Sequence, residues 1–350
     1  MLSQVRIVGA GLIGTSIALG LSAHGIRVQL VDSDCAAASL ANDLAGGVEI
    51  DTPDLVILAI PTVAIPIVIE SEFSLNPHST FIDVGSVKGE VIDYIKQSSL
   101  PLMRFVPTHP MAGREVGGAQ SARADLFATR SWVITPTEEC GVEALTLVRE
   151  LIQILGASVI VLTAAEHDRA VATTSHIPQI AASLVAQSLS NIPVSWLELS
   201  GQGLRDTTRI AASDSHLWSE IIFSNRREIS MALKTLQNNL GSLIESIEEQ
   251  SAIEDFIERG VSGRALIPGK HGGKAREYTY LPIVINDKPG QLAAIFNECA
   301  LINVNVEDLS IEHSPGQLNA LITLALSSSD AAALSLHLSG VGWNVHPILK

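Results

Sequence analysis

Short apolar runs alternate with amphipathic segments over the first half of the chain. The apolar runs have the length of buried strands, and the amphipathic segments have the length of helices. This alternation predicts an α/β fold with a mostly parallel, doubly wound sheet that is covered by helices on both faces. The strands are predicted near residues 5–8, 27–31, 54–61, 80–84, 103–107, 132–135 and 158–162.

The pattern changes after Thr163. From residue 164 to 260, apolar residues recur at helical spacing, which predicts an all-helical second domain with an interruption at Pro178. Residues 261–277 are rich in glycine and basic residues and are predicted to form a linker. Residues 278–350 follow the order βαββαβ, which predicts a C-terminal ferredoxin-like α+β domain.

A glycine-rich loop joins the first strand to the first helix and predicts a Rossmann-type dinucleotide-binding domain over residues 1–163. In its GxGxxG pattern, Gly9 allows a tight turn, Gly11 lets the backbone approach a pyrophosphate, and Gly14 allows close packing of helix on strand. The helix then begins with free N–H groups that can bind phosphates. The alternative is a glycine-rich turn in an unrelated α/β protein. The predicted cofactor-binding residues are Gly9, Gly11, Leu12, Ile13, Gly14 and Asp32.

Asp32 decides which dinucleotide is expected. It closes the second strand, 18 residues after Gly14, where an acidic side chain meets the ribose 2′-hydroxyl. A carboxylate there repels a 2′-phosphate, so the sequence predicts NAD rather than NADP.

Composition narrows the choice of partners and of location. The formal net charge of −15 argues against binding to nucleic acid or to an anionic membrane. The three cysteines are scattered and lack metal-ligand spacing, which predicts a cytoplasmic protein without a metal site. No apolar run reaches membrane-spanning length. The mean hydropathy of +0.32 is high for a soluble protein and indicates apolar surface buried between subunits, with a large core as the alternative.

Two polar motifs follow predicted strands, at the sheet edge where ligands bind in open α/β folds. The motif DVGSVK places Ser86 to bind the nicotinamide or the substrate, with a helix cap as the alternative. The motif THPMAGRE places His109 in the same crevice. Because a histidine can accept a proton from an alcohol undergoing oxidation, His109 is the predicted base, with a structural histidine as the alternative.

The helical domain adds further candidates. His167 and His176 are nine residues apart, so they should not share one face of an unbroken helix or bind a metal together. His176 is predicted to line the cleft or to make a helix-interior hydrogen bond. Arg205 and Arg209 are candidates for binding a substrate carboxylate, with an ion pair to a nearby aspartate as the alternative.

Taken in chain order, these motifs resemble the prephenate and arogenate dehydrogenases of tyrosine biosynthesis over roughly residues 5–250. The resemblance implies a dinucleotide-binding domain, a helical domain that forms a homodimer, and NAD-dependent oxidative decarboxylation of a cyclohexadienyl substrate. The matching stretches are VGAGLIG, DVGSVK, THPMAG, EHDRAVATTSHIP and GLRDTTRIAASDSHLW.

The resemblance also implies roles for single residues. His109 matches the catalytic histidine, and Ser86 matches the serine that positions the substrate hydroxyl. Arg209 matches the arginine that binds a substrate carboxylate, and His176 matches a second cleft histidine. Glu115 matches an acid at the cleft mouth.

Residues 278–350 resemble an ACT domain, a ligand-binding regulatory module, and tyrosine is the expected effector. The predicted regulatory residues lie in the loop between the first strand and the first helix of this domain: Asp287, Pro289, Gly290, Gln291 and Leu292.

Several alternatives stay open at this stage. Gln179 stands where many relatives carry a histidine, and Arg114 lies at a variable position that bears on the choice between prephenate and arogenate. Other dehydrogenases with an ACT tail, such as those for homoserine or phosphoglycerate, are a second class of enzyme. A regulator that senses NAD and an amino acid without catalysis is the non-enzymatic alternative.

Overall fold

The structure is a computed structural model that describes residues 2–114, 116–267, 278–313 and 318–349. Contacts divide the chain into two compact units, residues 1–245 and 246–350. The predicted dinucleotide-binding domain and most of the predicted helical domain therefore share the first unit.

The first unit is built on a seven-stranded sheet with the order β2-β1-β3-β4-β5-β6-β7. From β1 the chain passes to β2 on one side and then crosses to β3 on the other, which creates a topological switch point between β1 and β3. The strands are β1 (Gln4–Val8), β2 (Arg27–Val31), β3 (Leu55–Leu58), β4 (Thr80–Asp83), β5 (Phe105–Pro110), β6 (Ser131–Ile134) and β7 (Ser158–Val161).

Helices cover both faces of this sheet, as predicted for a doubly wound fold. Ile17, Leu21 and Leu151 belong to the core on one face, and Ile69 and Ile95 belong to the core on the other. These helices are α1 (Leu12–Ser22), α2 (Cys35–Ala45), α3 (Ile65–Leu75), α4 (Gly89–Gln97) and α5 (Val142–Ile154).

The sheet is mostly parallel, as predicted, with one antiparallel pair. β6 pairs antiparallel with β5, with Thr108 opposite Ile134 and His109 opposite Val133. An antiparallel neighbour needs no crossover helix, and the described residues between 111 and 130 contain only a short 3₁₀ turn, at Ala119–Ser121. This pairing extends β5 to Pro110, three residues beyond the predicted end, so His109 lies in the strand and not in the loop.

The helical segment begins where the sequence indicated. Thr163 caps α6 and forms a reciprocal capping box with Glu166. A π-helical turn at Ala172–His176 interrupts the helical path, and Pro178 lies in the first turn of the next helix. The helices are α6 (Ala164–Val171), α7 (Ile177–Ser188), α8 (Val194–Leu197), α9 (Gln202–Thr208), α10 (Ser215–Ser224), α11 (Arg226–Glu245) and α12 (Gln250–Ala265).

The linker was predicted to begin at residue 261, before the end of the preceding helix. α12 continues to Ala265 and is grouped with the second compact unit, so residues 261–265 are helical although their glycines suggested a linker. The remaining residues of that prediction, from 268 to 277, lie outside the described part of the chain.

The second unit contains the predicted order βαββαβ. Its four-stranded antiparallel sheet has the order β11-β8-β10-β9, and Leu281, Ile322 and Leu334 belong to its apolar core. The elements are β8 (Thr279–Asn286), α13 (Gln291–Leu301), β9 (Asp308–His313), β10 (Asn319–Leu326), α14 (Ser328–Gly340) and β11 (Asn344–Val345). None of the helices described in either unit has the length and apolar character needed to cross a bilayer.

Candidate active site

The glycine loop has the backbone that a pyrophosphate cradle requires. Gly9 has a φ of +110°, and a Cβ at this position would overlap the carbonyl oxygen of Ala59. A Cβ on Gly14 would overlap the carbonyl oxygen of Gly9, so both glycines are needed for close packing. A Cβ on Gly11, at the start of α1, would meet no described atom within 4 Å. Open space above the free N–H groups of α1 fits a dinucleotide phosphate.

Asp32 is fixed beside this loop at the end of β2. Its Oδ2 accepts a hydrogen bond from the Ala10 N–H at 2.7 Å, and its Oδ1 accepts one from the Asp34 N–H at 2.9 Å. The carboxylate therefore lies beside the first turn of the nucleotide site, as the ribose-binding prediction requires.

His109 lies at the carboxyl end of β5 and contacts a histidine from the helical segment. Its Nδ1 is 2.9 Å from Nε2 of His167, and the two rings meet nearly edge to face. His167 is fully buried on α6, and its Nδ1 lies 2.8 Å from Oδ1 of Asp168. Two histidines and an aspartate thus form one continuous chain of hydrogen bonds.

Asp168 anchors this chain in the ionised form. Its two oxygens accept hydrogen bonds from the backbone N–H groups of Lys88 and Gly89, at 2.9 and 2.8 Å. Burial raises the pKa of Asp168, but the hydrogen bonds from His167, Lys88 and Gly89 outweigh it and bring the pKa below its usual value. The carboxylate can therefore only accept hydrogen bonds.

The carboxylate of Asp168 determines which ring nitrogen carries hydrogen in His167 and in His109. Nδ1 of His167 must donate to the carboxylate, which leaves Nε2 of His167 as an acceptor for the Nδ1–H of His109. Nε2 of His109 then carries the lone pair, and it has no hydrogen-bond partner among the described residues. The network presents His109 as a base.

Lys88 is fully buried and close enough to His109 to act on its charge. Its ammonium group pairs with Asp83 at the end of β4 and donates a hydrogen bond to the Thr108 carbonyl oxygen at 2.6 Å. Burial, the charge of Lys88 and the neighbouring His167 and His176 lower the pKa of His109 well below its ordinary value. His109 is therefore neutral near physiological pH.

His176 lies in the π-helical turn and is buried. Its Nδ1 is 3.2 Å from Nδ2 of Asn225, which also donates to the Asp168 carbonyl oxygen at 2.7 Å. Burial lowers the pKa of His176 to about 4. Its ring meets Trp218 edge to face, so His176 is tied both to the Asp168 segment and to α10.

The other predicted site residues occupy several segments. Ser86 lies half-buried in the loop between β4 and α4, where Lys88 and not Ser86 is the N-cap residue. Arg205 on α9 and Arg209 in the following 3₁₀ turn are exposed. Gln179 holds that turn against α7 through a 3.0 Å hydrogen bond to the Ile210 carbonyl oxygen.

Arg114 of the THPMAGRE motif has no described hydrogen bond to this network. Arg114 is exposed and donates to the Ser121 carbonyl oxygen at 2.9 Å. Glu115 lies outside the described residues. Within the described residues, no cluster of histidine, cysteine, aspartate and glutamate side chains could hold a metal ion.

Four residues of the network were not predicted from the sequence: Asp83, Lys88, His167 and Asp168. One available signal was the pair of opposite charges, Asp83 and Lys88, at the two ends of the DVGSVK motif. Charges inside a protein are generally paired, so opposite charges beside a buried strand indicate a buried ion pair. His167 was considered only together with His176, as a pair that should not bind a metal, which hid its link to His109.

Two family models match most of the chain. Residues 17–161 match the model described as "Prephenate dehydrogenase, nucleotide-binding domain". Residues 163–259 match "Prephenate dehydrogenase, dimerization domain". The chain belongs to the prephenate dehydrogenase family. Neither of these two models extends to residues 278–350.

Relatives of known name agree with membership in the prephenate dehydrogenase family. A Streptomyces niveus protein named "Probable prephenate dehydrogenase NovF" is 30% identical and covers 96% of this chain and 98% of its own. The Aquifex aeolicus prephenate dehydrogenase, solved with hydroxyphenyl propionate and NAD+, is 26% identical, with a TM-score of 0.68 over 76% of this chain and 99% of its own. The Synechocystis arogenate dehydrogenase is 25% identical, with a TM-score of 0.65 over 75% of this chain and 98% of its own.

Proposed function

We propose that this protein is an NAD-dependent prephenate dehydrogenase that converts prephenate to 4-hydroxyphenylpyruvate by oxidative decarboxylation. The observation that carries the proposal is the neutral His109, held in its basic tautomer at the same sheet edge as the glycine loop. Membership in the prephenate dehydrogenase family, and a relative solved with NAD+ and hydroxyphenyl propionate, whose aromatic ring resembles that of the expected product, support the reaction and the cofactor.

Each step of the reaction needs a group that the chain supplies. NAD, when bound, supplies the hydride acceptor for C4 of the substrate ring. Gly9, Gly11 and Gly14 would hold its pyrophosphate, and Asp32 would bind its ribose. Nε2 of His109 would take the proton of the 4-hydroxyl group. Loss of the ring carboxylate as CO₂ then makes the ring aromatic.

Substrate orientation is assigned to further residues. Ser86, in the loop after β4, would hydrogen-bond the 4-hydroxyl group, and His176 would line the cleft. Arg209 would bind a substrate carboxylate through its guanidinium fork, with Arg205 as the neighbouring candidate. Glu115 keeps its proposed place at the cleft mouth on the resemblance alone.

Arogenate is the second candidate substrate. It differs from prephenate by an amino group in place of the side-chain keto group, and the Synechocystis relative is named an arogenate dehydrogenase. Steady-state kcat/KM values for the two compounds with NAD separate the candidates. We expect the higher value with prephenate, and a higher value with arogenate would reassign the substrate.

The decisive experiment on the catalytic assignment is the variant His109→Asn. It should bind NAD normally and lose about 10²–10⁴-fold in kcat with prephenate, since a general base is removed. The matched control is His78→Asn, because His78 is exposed in the turn between α3 and β4. A near-normal kcat in His109→Asn would reject His109 as the base.

A homodimer is proposed for the helical segment. The matching family model over residues 163–259 is described as a dimerization domain, and Phe223, Leu240 and Ile244 expose large apolar side chains there. Apolar side chains exposed on a monomer are often covered in an assembly. Sedimentation equilibrium should give twice the chain mass, and a monomer at working concentrations would contradict the proposal.

Feedback control is proposed for residues 278–350 as an ACT-like module, with tyrosine as the effector. The predicted regulatory loop lines a cavity of about 300 Å³, and Gly290 adopts a φ of +91° at its turn. The lining residues are Ile285, Asp287, Lys288, Pro289, Gly290, Gln291, Leu292 and Ile311. Truncation after Ile267, which keeps α12 whole, should leave activity and remove tyrosine inhibition. An unchanged inhibition constant would place tyrosine at the active site.

A further inference from the structure

The chain of hydrogen bonds behind His109 continues to a second histidine and then to an aspartate. His167 is completely buried, so its only route to the substrate runs through Nδ1 of His109, 2.9 Å away. Behind it, Asp168 is a buried carboxylate with an oxygen 2.8 Å from Nδ1 of His167. A proton that binds to His109 can therefore be followed along the hydrogen bonds to a nitrogen of His167 and then to the carboxylate of Asp168.

We propose that His167 takes up a proton from His109 during the reaction, holds it against Asp168, and returns it to His109 when the product oxygen is protonated. This inference rests on the proposed prephenate dehydrogenase activity and assigns two further residues to it. His167 and Asp168 act through His109 and are positioning residues.

The proton movements balance in both directions. As the substrate O–H bond breaks, an N–H bond forms at Nε2 of His109. The proton on Nδ1 of His109 then passes to Nε2 of His167, which becomes an imidazolium hydrogen-bonded to Asp168. After CO₂ has left, the phenolate oxygen takes a proton from Nε2 of His109, and His167 returns its proton to Nδ1.

The overall reaction releases no net proton. The substrate loses one negative charge as its carboxylate leaves as CO₂, and the dinucleotide loses one positive charge. A proton removed from the hydroxyl group is therefore replaced by one on the same oxygen, and a group that holds a proton between the two steps can supply it. A buried relay keeps that proton out of bulk water during the step.

The charges around the two histidines favour storage on His167. The ammonium group of Lys88 donates a hydrogen bond to the carbonyl oxygen of Thr108, the residue before His109, and forms an ion pair with Asp83. His176, from the π-helical turn, is the remaining titratable group that faces the pair among the described residues. Asp168 makes a direct contact with His167, and this contact balances a positive charge on that ring.

The variant His167→Gln separates storage from orientation. A glutamine oxygen can accept the Nδ1–H of His109 and keep its tautomer, but it cannot take up a proton. We expect kcat for prephenate to fall by about 10²-fold, at the lower end of general acid–base effects, with KM and NAD affinity unchanged. His78→Gln is the matched control.

The variant Asp168→Asn tests the charge behind His167. Oδ1 of Asp168 accepts hydrogen bonds from both the Lys88 N–H and Nδ1 of His167, so the amide oxygen of asparagine should take its place and keep the tautomers of both histidines. A protonated His167 would then lack its counter-ion, and kcat should fall by about 10²-fold. Thermal melting and NAD binding report whether each variant is folded.

Proton inventories in mixtures of H₂O and D₂O give the deciding readout, measured on single turnovers so that product release does not mask the step. The wild type should show a curved inventory, because two protons move, and His167→Gln should show a linear one. An inventory that stays curved in His167→Gln, or a kcat equal to that of the wild type, would overturn the relay. A wild type that does not oxidise prephenate would instead overturn the proposed function.

Discussion

Two glycines of the nucleotide loop should respond in opposite ways to the same substitution. In Gly14→Ala, the new Cβ would overlap the Gly9 carbonyl oxygen, which belongs to a tight turn and cannot rotate away. Such overpacking costs about 3 kcal/mol at the upper end of its usual range. Alanine recovers about 1 kcal/mol of helix propensity, which leaves a net loss of about 2 kcal/mol. For a compact unit of this size, Tm should fall by about 4–8 °C.

Gly11→Ala is the matched variant, since its Cβ meets no described atom within 4 Å and its φ of −80° suits alanine. Its Tm should stay at the wild-type value or rise slightly. Its Cβ would occupy the space over the start of α1, so the Kd for NAD should rise about tenfold or more, which corresponds to about 1.4 kcal/mol. Scanning fluorimetry and titration calorimetry measure both quantities. Wild-type melting in Gly14→Ala, or wild-type NAD affinity in Gly11→Ala, would refute this account of the loop.

Three further predictions follow from the same contacts. Asp32 should give a higher kcat/KM with NAD than with NADP, and steady-state rates showing the reverse would remove its ribose role. In the folded state the pKa of His176 is about 4, whereas an unfolded histidine has a pKa near 6.5. The unfolded state therefore binds this proton first as the pH falls. Equilibrium unfolding should show the full contribution to stability above about pH 6.5 and a decreasing one as the pH falls towards 4. Lys88→Met should lower the unfolding free energy by about 3–5 kcal/mol because it leaves Asp83 buried without a cation. Adding Asp83→Asn should restore part of the lost free energy. Urea titrations that show no loss in Lys88→Met would contradict the pairing.

Features set by neighbouring residues could be predicted from the sequence. The GxGxxG turn, the Thr163 start of α6 and the break near Pro178 depend on local backbone preferences and capping, so they are confirmed close to the predicted positions. The βαββαβ order of the C-terminal unit was visible for the same reason. Its regulatory role depends on a ligand and stays a prediction.

Features set by distant residues could not be predicted. The extension of β5 through His109 depends on antiparallel pairing with β6, which no local pattern encodes. The hydrogen bond from the Lys88 N–H to Asp168 joins residues 80 positions apart. A separation of nine residues places His167 and His176 on different faces only in an unbroken helix, and the π-helical turn at Ala172–His176 changes the geometry between them.

The most direct test of the proposed function follows the hydrogen on C4 of the substrate. Prephenate carrying deuterium at C4 is incubated with the wild-type protein and NAD, and both products are analysed by mass spectrometry. The account predicts deuterium in the reduced dinucleotide and 4-hydroxyphenylpyruvate without it, formed in equal amounts. Prephenate left unchanged, or a reduced dinucleotide without deuterium, would contradict the assignment of this chain as a prephenate dehydrogenase.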